Sequence, residues 1–62
     1  MKKLSYPEAS AQIKEVILRV GLTDPIEKKI FVISAIDLMT ESGEISSVTN
    51  MQLFGEFCAK FN

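Results

Sequence analysis

Ile-Phe-Val-Ile-Ser-Ala-Ile-Asp-Leu-Met, residues 30–39, is the stretch of this sequence that decides the fold. Only Ser34 and Asp37 in it are polar, so a helix at this position is apolar around most of its circumference. Such a segment has to be covered on most sides, because exposing apolar surface to water is unfavourable. A chain of 62 residues has little else with which to cover it. The stretch therefore predicts a packing partner, most simply a second copy of the same chain.

Signals on both sides of this stretch predict a helix over residues 25–42. Asp24 is a preferred N-cap residue, Pro25 suits the first helical position, and Gly43 is a typical terminator. The alternative is a buried strand over residues 30–33, since three of those four residues are β-branched. We favour the helix, because the pattern runs unbroken from cap to stop and no second strand is available for pairing.

A helix that precedes the central one is predicted over residues 7–20. Ser5 and Glu8 have the spacing of a capping box, and Gly21 is a natural stop because it adopts a positive φ without strain. Residues at helical spacing then form one apolar face: Ala9, Ile13, Val16, Ile17 and Val20. Leu18 falls on the back of this helix, and we interpret it as an ordinary exposed residue.

A helix that follows the central one is predicted over residues 47–61. Ser46 or Ser47 can supply its N-cap, with Thr49 and Gln52 as an alternative capping box one turn later. The short loop before it predicts that it packs beside the central helix. Val48 is expected to begin its apolar face, which continues through Met51, Phe54, Phe57, Cys58 and Phe61. The sequence thus predicts an all-α fold of three helices.

Length and composition are typical of a single small helical domain spanning residues 1–62. The chain is 47% hydrophobic, which excludes a disordered tail. Its one cysteine cannot form a disulfide within the chain, and the usual zinc ligand sets are missing because there is no histidine. The longest apolar run is about half of the roughly 20 residues that a membrane span needs, and no signal-peptide pattern develops at the start. We expect a soluble, cytoplasmic protein without metal or cofactor.

Charge is unevenly distributed along the chain. Residues 1–29 carry six Lys or Arg against four Asp or Glu, whereas residues 30–62 carry Lys60 alone against four acidic residues. A helical wheel places the acidic residues of the central helix along one narrow polar edge, and one more follows in the loop. This acidic stripe consists of Glu27, Asp37, Glu41 and Glu44. It is expected either to face a basic partner or simply to keep the protein in solution.

Catalysis has little support in these residues. Cys58 lies on the predicted apolar face of the last helix, and a thiol buried among apolar groups is inert. Asp37 and Glu41 are one helical turn apart, but acidic residues at that spacing on a polar edge are typical of a solvated face. A calcium loop aligned on Gly43 places Leu38 and Thr49 where carboxylate ligands are required. The sequence therefore predicts a protein that is not an enzyme and binds no metal.

DNA binding is the alternative function that the order of helices suggests. The second and third helices flank a glycine turn, as in a helix-turn-helix, and the third begins with residues able to reach base edges: Ser46, Ser47, Thr49, Asn50 and Gln52. This half of the chain is acidic, however, and its one basic residue, Lys60, lies at the far end. Phosphate contacts would have to come from Lys2, Lys3, Lys14, Arg19, Lys28 and Lys29. The charge distribution thus argues against nucleic acid as the partner.

The favoured interpretation is a small regulatory protein that acts through protein–protein interaction. The two flanking helices can cover about half of the circumference of the central one, and the remainder is expected to pack on a second copy. The predicted interface of this homodimer comprises Phe31, Ala35, Leu38 and Met39. The acidic stripe would face an unidentified larger protein, whose activity the dimer would change by occluding or stabilising a surface. A monomer with an uncovered apolar patch is the alternative, and such a patch would also mark an interaction site.

Overall fold

The computed structural model describes residues 3–61, of which three α-helices make up the greater part. They are α1 (Tyr6–Val20), α2 (Pro25–Glu41) and α3 (Ser47–Phe61). No strand occurs within the described range, so the all-α, three-helix prediction is confirmed and the strand alternative at residues 30–33 is excluded. Two predictions lie outside what the structure describes, namely the phosphate contact at Lys2 and the position of the Phe61 side chain.

Local signals set the ends of α1 as the sequence predicts. Ser5 and Glu8 form the expected capping box, in which the Glu8 N–H donates to Ser5 Oγ and the Ser5 N–H donates to Glu8 Oε1 at 3.0 Å. At the other end, Gly21 has a φ of 80° and its N–H donates to the Ile17 carbonyl. A residue with a side chain is strained at that φ, so glycine is required there.

The central helix α2 also begins and ends at the predicted signals. Asp24 Oδ1 accepts a hydrogen bond from the Ile26 N–H at 2.9 Å, and Pro25 occupies the first turn. After the last helical residue, Ser42 donates its N–H to the Leu38 carbonyl, and Gly43 follows with a φ of 82°. The helix therefore ends at Glu41, one residue before the predicted position.

Ser46, one of the predicted candidates, caps α3. Its hydroxyl accepts from the Thr49 N–H at 3.2 Å, and its carbonyl accepts from the Asn50 N–H at 2.9 Å. The loop before it is tied to the start of the chain, since the Leu4 N–H donates to the Glu44 carbonyl at 2.7 Å. This hydrogen bond thus ties the residues before α1 to the loop between α2 and α3.

The hydrophobic core lies between the three helices, and α2 makes its most extensive contacts with α3. It consists of Ala9, Ile13, Ile17, Val32, Ile36, Ile45, Leu53 and Phe57. Every buried side-chain polar atom of the described residues has a hydrogen-bond partner. Leucine, isoleucine and phenylalanine side chains therefore fill the interior without an unsatisfied polar group, as a small core requires.

The buried face of α3 differs from the predicted one. Leu53 is 0% exposed, whereas Met51, which the pattern placed in the core, is 74% exposed. Val48 is exposed as well, and Cys58 is only partly buried. The helix is rotated about its own axis by about 100° relative to the predicted orientation, which is the angle between successive residues on a helical wheel. The prediction of this face is therefore wrong except at Phe57, which is buried, and Phe54, which packs at the edge of the core.

The apolar faces of α1 and α2 are narrower than predicted. Val20 is exposed at the end of α1, while Ser10, a polar residue, is buried on that helix. On α2 only Val32 and Ile36 are fully buried. Seven large apolar side chains of the described chain remain largely exposed: Leu18, Val20, Ile26, Ile30, Leu38, Val48 and Met51. No helix within residues 3–61 combines the length and apolar character that crossing a bilayer demands.

Candidate interaction surfaces

The four residues of the predicted homodimer interface lie on one flank of α2. Ideal helical geometry places them within an arc of about 100°. Met39, Ala35 and Phe31 are partly buried against the core, and Leu38, at the outer edge, is 65% exposed. One side of this surface therefore contacts the core, and the other side, at Leu38, is not covered by the chain itself. We call Phe31, Ala35, Leu38 and Met39 the α2 flank.

The acidic stripe is exposed along its whole length. Glu27, Asp37 and Glu41 lie on the outward side of α2, within an arc of about 80°. Glu44 lies beyond the helix in the loop, where its carboxylate accepts a hydrogen bond from the Ser42 hydroxyl at 2.9 Å. The structure therefore brings three of the four residues onto one helix face and places the fourth beside the end of that face.

Two large, exposed isoleucines of α2 lie beside the carboxylates of the acidic stripe. Ile26 and Ile30 are both largely exposed, and the wheel places them next to Asp37 and Glu41. The outward side of α2 is therefore a mixture of carboxylates and large apolar side chains. On the wheel Ile30 lies between Asp37 and Glu41, and Ile26 lies at the edge of the stripe next to Asp37, which was the available signal for this arrangement.

A partly buried carboxylate joins α3 to α1. Glu56 Oε1 accepts hydrogen bonds from the hydroxyls of Tyr6 at 2.6 Å and Ser10 at 2.9 Å. Its second oxygen, Oε2, lies 2.9 Å from Lys14 Nζ, and the Glu56 side chain is 24% exposed. The three partners are spaced four residues apart on α1, so they stand one above another along one edge of the helix. We call Tyr6, Ser10, Lys14 and Glu56 the Glu56 network.

The Glu56 network shifts the pKa values of two of its members in opposite directions. The hydrogen bond from Tyr6 is the main cause that lowers the pKa of the Glu56 carboxyl below its ordinary value of 4.5; burial opposes it, and Lys14 and Ser10 add smaller effects that also lower the pKa. The same hydrogen bond raises the pKa of Tyr6 above 10.0, since ionised tyrosine cannot donate it. The network therefore stabilises the ionised carboxylate of Glu56 and the protonated hydroxyl of Tyr6.

The Glu56 network and the hydrophobic core require the same orientation of α3. The carboxylate of Glu56 must face α1 to accept its hydrogen bonds, because an unpaired carboxylate in a partly buried position is costly. With Glu56 in that orientation, Leu53 and Phe57 turn into the core and Met51 turns outward. Sequence reasoning missed Glu56 because a single acidic residue on a helix usually faces solvent. The available signal was the row of Tyr6, Ser10 and Lys14 on the opposing helix.

The start of α3 uses two of its polar side chains within the fold. Thr49 is buried, and its hydroxyl oxygen accepts a hydrogen bond from the Ser46 hydroxyl at 3.2 Å. Asn50 Nδ2 donates to Thr40 Oγ1 at 2.7 Å, which ties α3 to α2. Five side chains were candidates for reaching base edges. Three of them, Ser46, Thr49 and Asn50, are therefore committed to hydrogen bonds within the protein. Ser47 and Gln52 remain exposed.

Groups that could perform covalent or metal chemistry are sparse in the described range. Cys58 is a free, partly buried thiol outside the core cluster. Within residues 3–61, no three Cys, Asp or Glu side chains come together in an arrangement that could hold a metal ion. What the structure does offer is surface: an apolar flank, an acidic face with isoleucines, and apolar residues on α1 and α3.

Comparison of this chain with the models of known protein families, with curated protein sequences and with solved structures finds no significant match. The surfaces described above are therefore the basis for any statement about function.

Proposed function

We propose that this chain is a small non-enzymatic regulatory protein that works as a homodimer and changes the activity of a larger protein by binding to it. The observation that supports the proposal is the α2 flank, where Leu38 is 65% exposed beside the partly buried Phe31 and Ala35. An apolar surface that the chain leaves uncovered on its central helix is the usual mark of a protein interface.

The spacing along the α2 flank suits helix-to-helix contact. Phe31, Ala35 and Leu38 are at positions i, i+4 and i+7, which form a continuous seam on one side of a helix. Ala35 lies in the middle of this seam, and its small side chain lets a second helix approach closely. A two-fold axis near Ala35 would bring the flanks of two copies together, each residue meeting its counterpart or a neighbour.

The acidic face gives the proposed dimer a way to recognise its target. With the α2 flank covered by the second copy, Glu27, Asp37 and Glu41 still point outward on the adjacent side of the same helix. A basic surface on a larger protein would be attracted to these carboxylates, and the exposed Ile26 and Ile30 between them would supply apolar contact. The proposed mechanism is occlusion or stabilisation of the surface that is bound, and we place it in the cytoplasm.

Light scattering during gel filtration tests the dimer. The proposal expects a mass near twice the 6.9 kDa of the chain at tens of micromolar. Leu38→Glu should yield the mass of one chain, because two buried carboxylates would face each other across the seam. Val48→Glu is the matched control, since Val48 is 64% exposed but lies on α3. A wild-type monomer, or a Leu38→Glu dimer, contradicts the proposed interface.

Affinity capture from the source cells tests the regulatory role. Wild-type protein and a charge-reversed Asp37→Lys/Glu41→Lys variant would be used as paired baits. The proposal expects one protein whose capture depends on the two carboxylates and whose activity changes when the wild-type chain is added. Equal capture by both baits would show that the acidic face is not the recognition surface.

A further inference from the structure

The outward side of α2 holds the carboxylates that the fold leaves unpaired. The other acidic side chains of residues 3–61 are engaged within the chain, in helix caps, in a turn or in ion pairs with basic residues of α1: Glu8, Asp24, Glu44, Glu15 and Glu56. Within the same range, Glu27, Asp37 and Glu41 make no hydrogen bond or ion pair through their side chains, and all three are exposed. Their negative charge is therefore available to a ligand from outside the chain.

Two of these carboxylates stand where negative charge is unfavourable. Asp37 and Glu41 lie in the last two turns of α2, and the C-terminal end of a helix carries the negative end of the macrodipole. The other two helices have a basic residue in the last turn, Arg19 in α1 and Lys60 in α3, whereas α2 has none. Asp37 and Glu41 are also four residues apart, a spacing at which like charges repel. The end of α2 therefore concentrates negative charge at a cost to stability.

Uncompensated charge of this kind indicates a cationic ligand. Natural sequences break a local rule mainly at functional sites, where a binding partner supplies the compensation that the fold lacks. A cation beside Asp37 and Glu41 would relieve both their mutual repulsion and their unfavourable interaction with the helix dipole. Within residues 3–61 these two carboxylates are not part of a group of three that could hold a metal ion. Nucleic acid would be repelled. The ammonium or guanidinium group of a protein side chain remains as the cation.

The same side of α2 adds an apolar contact surface at a defined distance from this charge. Ile26 and Ile30 are 70% and 61% exposed. At a rise of about 1.5 Å per residue, Ile30 lies about 16 Å, or three turns, from Glu41 along the helix axis. Ser34, which is small and exposed, lies between them, and the isoleucines, Ser34 and the two carboxylates share an arc of about 80°. A convex row of this kind suits a second helix, which makes contacts at intervals of one turn.

We propose that the outward side of α2 binds a basic amphipathic helix of the partner protein. Two Lys or Arg residues one turn apart on that helix pair with Asp37 and Glu41, and apolar side chains about three turns away contact Ile26 and Ile30. The charge pairs set the orientation and register of the bound helix, and the isoleucines add contact area. The proposal rests on the protein-binding role proposed above and specifies the partner segment for the same surface.

A titration of the ¹⁵N-labelled full chain with a defined peptide tests this proposal. The basic probe is a synthetic helix with two leucines one turn apart and two arginines one turn apart, the two pairs separated by three turns on the same face. The acidic probe has glutamates in place of the arginines. The basic probe should shift the amide signals of Ile26, Ile30 and Glu41, with an affinity that falls as salt is added. The acidic probe should leave these signals unchanged.

Glu41→Gln and Glu15→Gln form a matched pair, because each removes one exposed carboxylate charge without changing the shape of the side chain. Glu41→Gln should weaken binding of the basic probe roughly twofold to fivefold, the range for one exposed ion pair. Without probe it should raise the urea midpoint, because it removes the repulsion at the end of α2. Glu15 is paired with Arg19 on α1. Glu15→Gln should therefore bind the probe as the wild type does and should not raise the midpoint.

Ile30→Gln and Val48→Gln test the apolar part of the surface. The two side chains are similarly exposed, at 61% and 64%, but Val48 lies on α3. Ile30→Gln should weaken binding of the basic probe roughly fivefold to tenfold, since the bound leucines lose an apolar contact. Val48→Gln should bind the probe as the wild type does. Both positions are exposed, so both variants should retain the helical fold.

Four results would overturn the proposal. They are an absence of shifts on α2 with millimolar basic probe, equal shifts with the acidic probe, equal shifts with spermidine, and a lower urea midpoint for Glu41→Gln than for the wild type. The third would show that the carboxylates take any small cation, and the fourth that the fold itself uses the Glu41 charge. Capture with the paired baits reports on the proposed function separately. Capture that depends on Asp37 and Glu41, together with no binding of the basic probe, would refute the helical segment alone.

Discussion

Truncation of Leu53 distinguishes the observed packing of α3 from the packing that its sequence pattern predicts. Leu53 is 0% exposed in the core, and Met51, two residues earlier, is 74% exposed. The sequence pattern predicts the opposite, namely a larger loss of stability on truncation of Met51 than of Leu53, since it places Met51 on the buried face. We expect Leu53→Ala to be strongly destabilising and Met51→Ala to be nearly neutral. Both substitutions replace a long apolar side chain by a methyl group. The difference between their losses of unfolding free energy therefore reports how deeply each side chain is buried.

The expected magnitudes follow from burial. Replacing a fully buried leucine by alanine costs about 2–5 kcal/mol, because the lost transfer free energy adds to that of the remaining cavity. A substitution at an exposed position costs less than about 0.5 kcal/mol. A domain of this length has about 3–9 kcal/mol of stability in total, so Leu53→Ala removes much of it. Even a loss of 2 kcal/mol would lower the melting temperature by about 8–16 °C.

Urea denaturation followed by far-UV circular dichroism is the measurement, at one fixed protein concentration because a homodimer would make stability concentration-dependent. Should Leu53→Ala be unfolded without urea, Leu53→Val provides an intermediate loss of about 1 kcal/mol for one methylene. If Met51→Ala costs as much as Leu53→Ala, α3 is rolled as the sequence pattern predicted, and the described core is refuted.

Three further predictions concern the Glu56 network, one glycine and the charge distribution. Glu56→Gln should cost about 1–2 kcal/mol in urea denaturation at neutral pH, and a cost within error of zero would contradict a structural role for the network. Because the folded-state pKa of Glu56 is lowered, this contribution is complete above the ordinary value of 4.5 and is lost as the pH falls through the lower folded value. The difference between wild type and Glu56→Gln should therefore shrink in acid, and a difference that stays constant would refute the shift. Gly55→Ala should raise the free energy of unfolding by about 0.5–1 kcal/mol, since an added Cβ meets nothing within 4 Å and alanine favours a helix interior; lower stability would show that another surface approaches Gly55. The chain should pass through heparin at low salt, because α3 has a single basic residue and the outer face of α2 is acidic; retention that weakens steeply with salt would instead support DNA binding.

The sequence alone determined the limits of all three helices to within one residue. Ser5 with Glu8, Asp24 before Pro25, and Ser46 each form their capping hydrogen bonds with residues two or three positions away. Interactions of so short a range depend on backbone geometry that the residues carry with them. The all-α class followed from the same signals, since the apolar run at residues 30–39 lies between a cap and a stop.

The tertiary structure decided which faces of those helices are buried. The apolar patterns of α2 and α3 were too broad to select one orientation. In the structure Leu53 and Phe57 of α3 enter the core, and Glu56 pairs with Tyr6, Ser10 and Lys14 on α1. Local pattern treats a lone glutamate as solvated, because its hydrogen-bond partners are more than forty residues away in the sequence. The orientation of α3 therefore follows from contacts between distant parts of the chain, namely the burial of Leu53 and Phe57 and the pairing of Glu56 with α1, which no local pattern specifies.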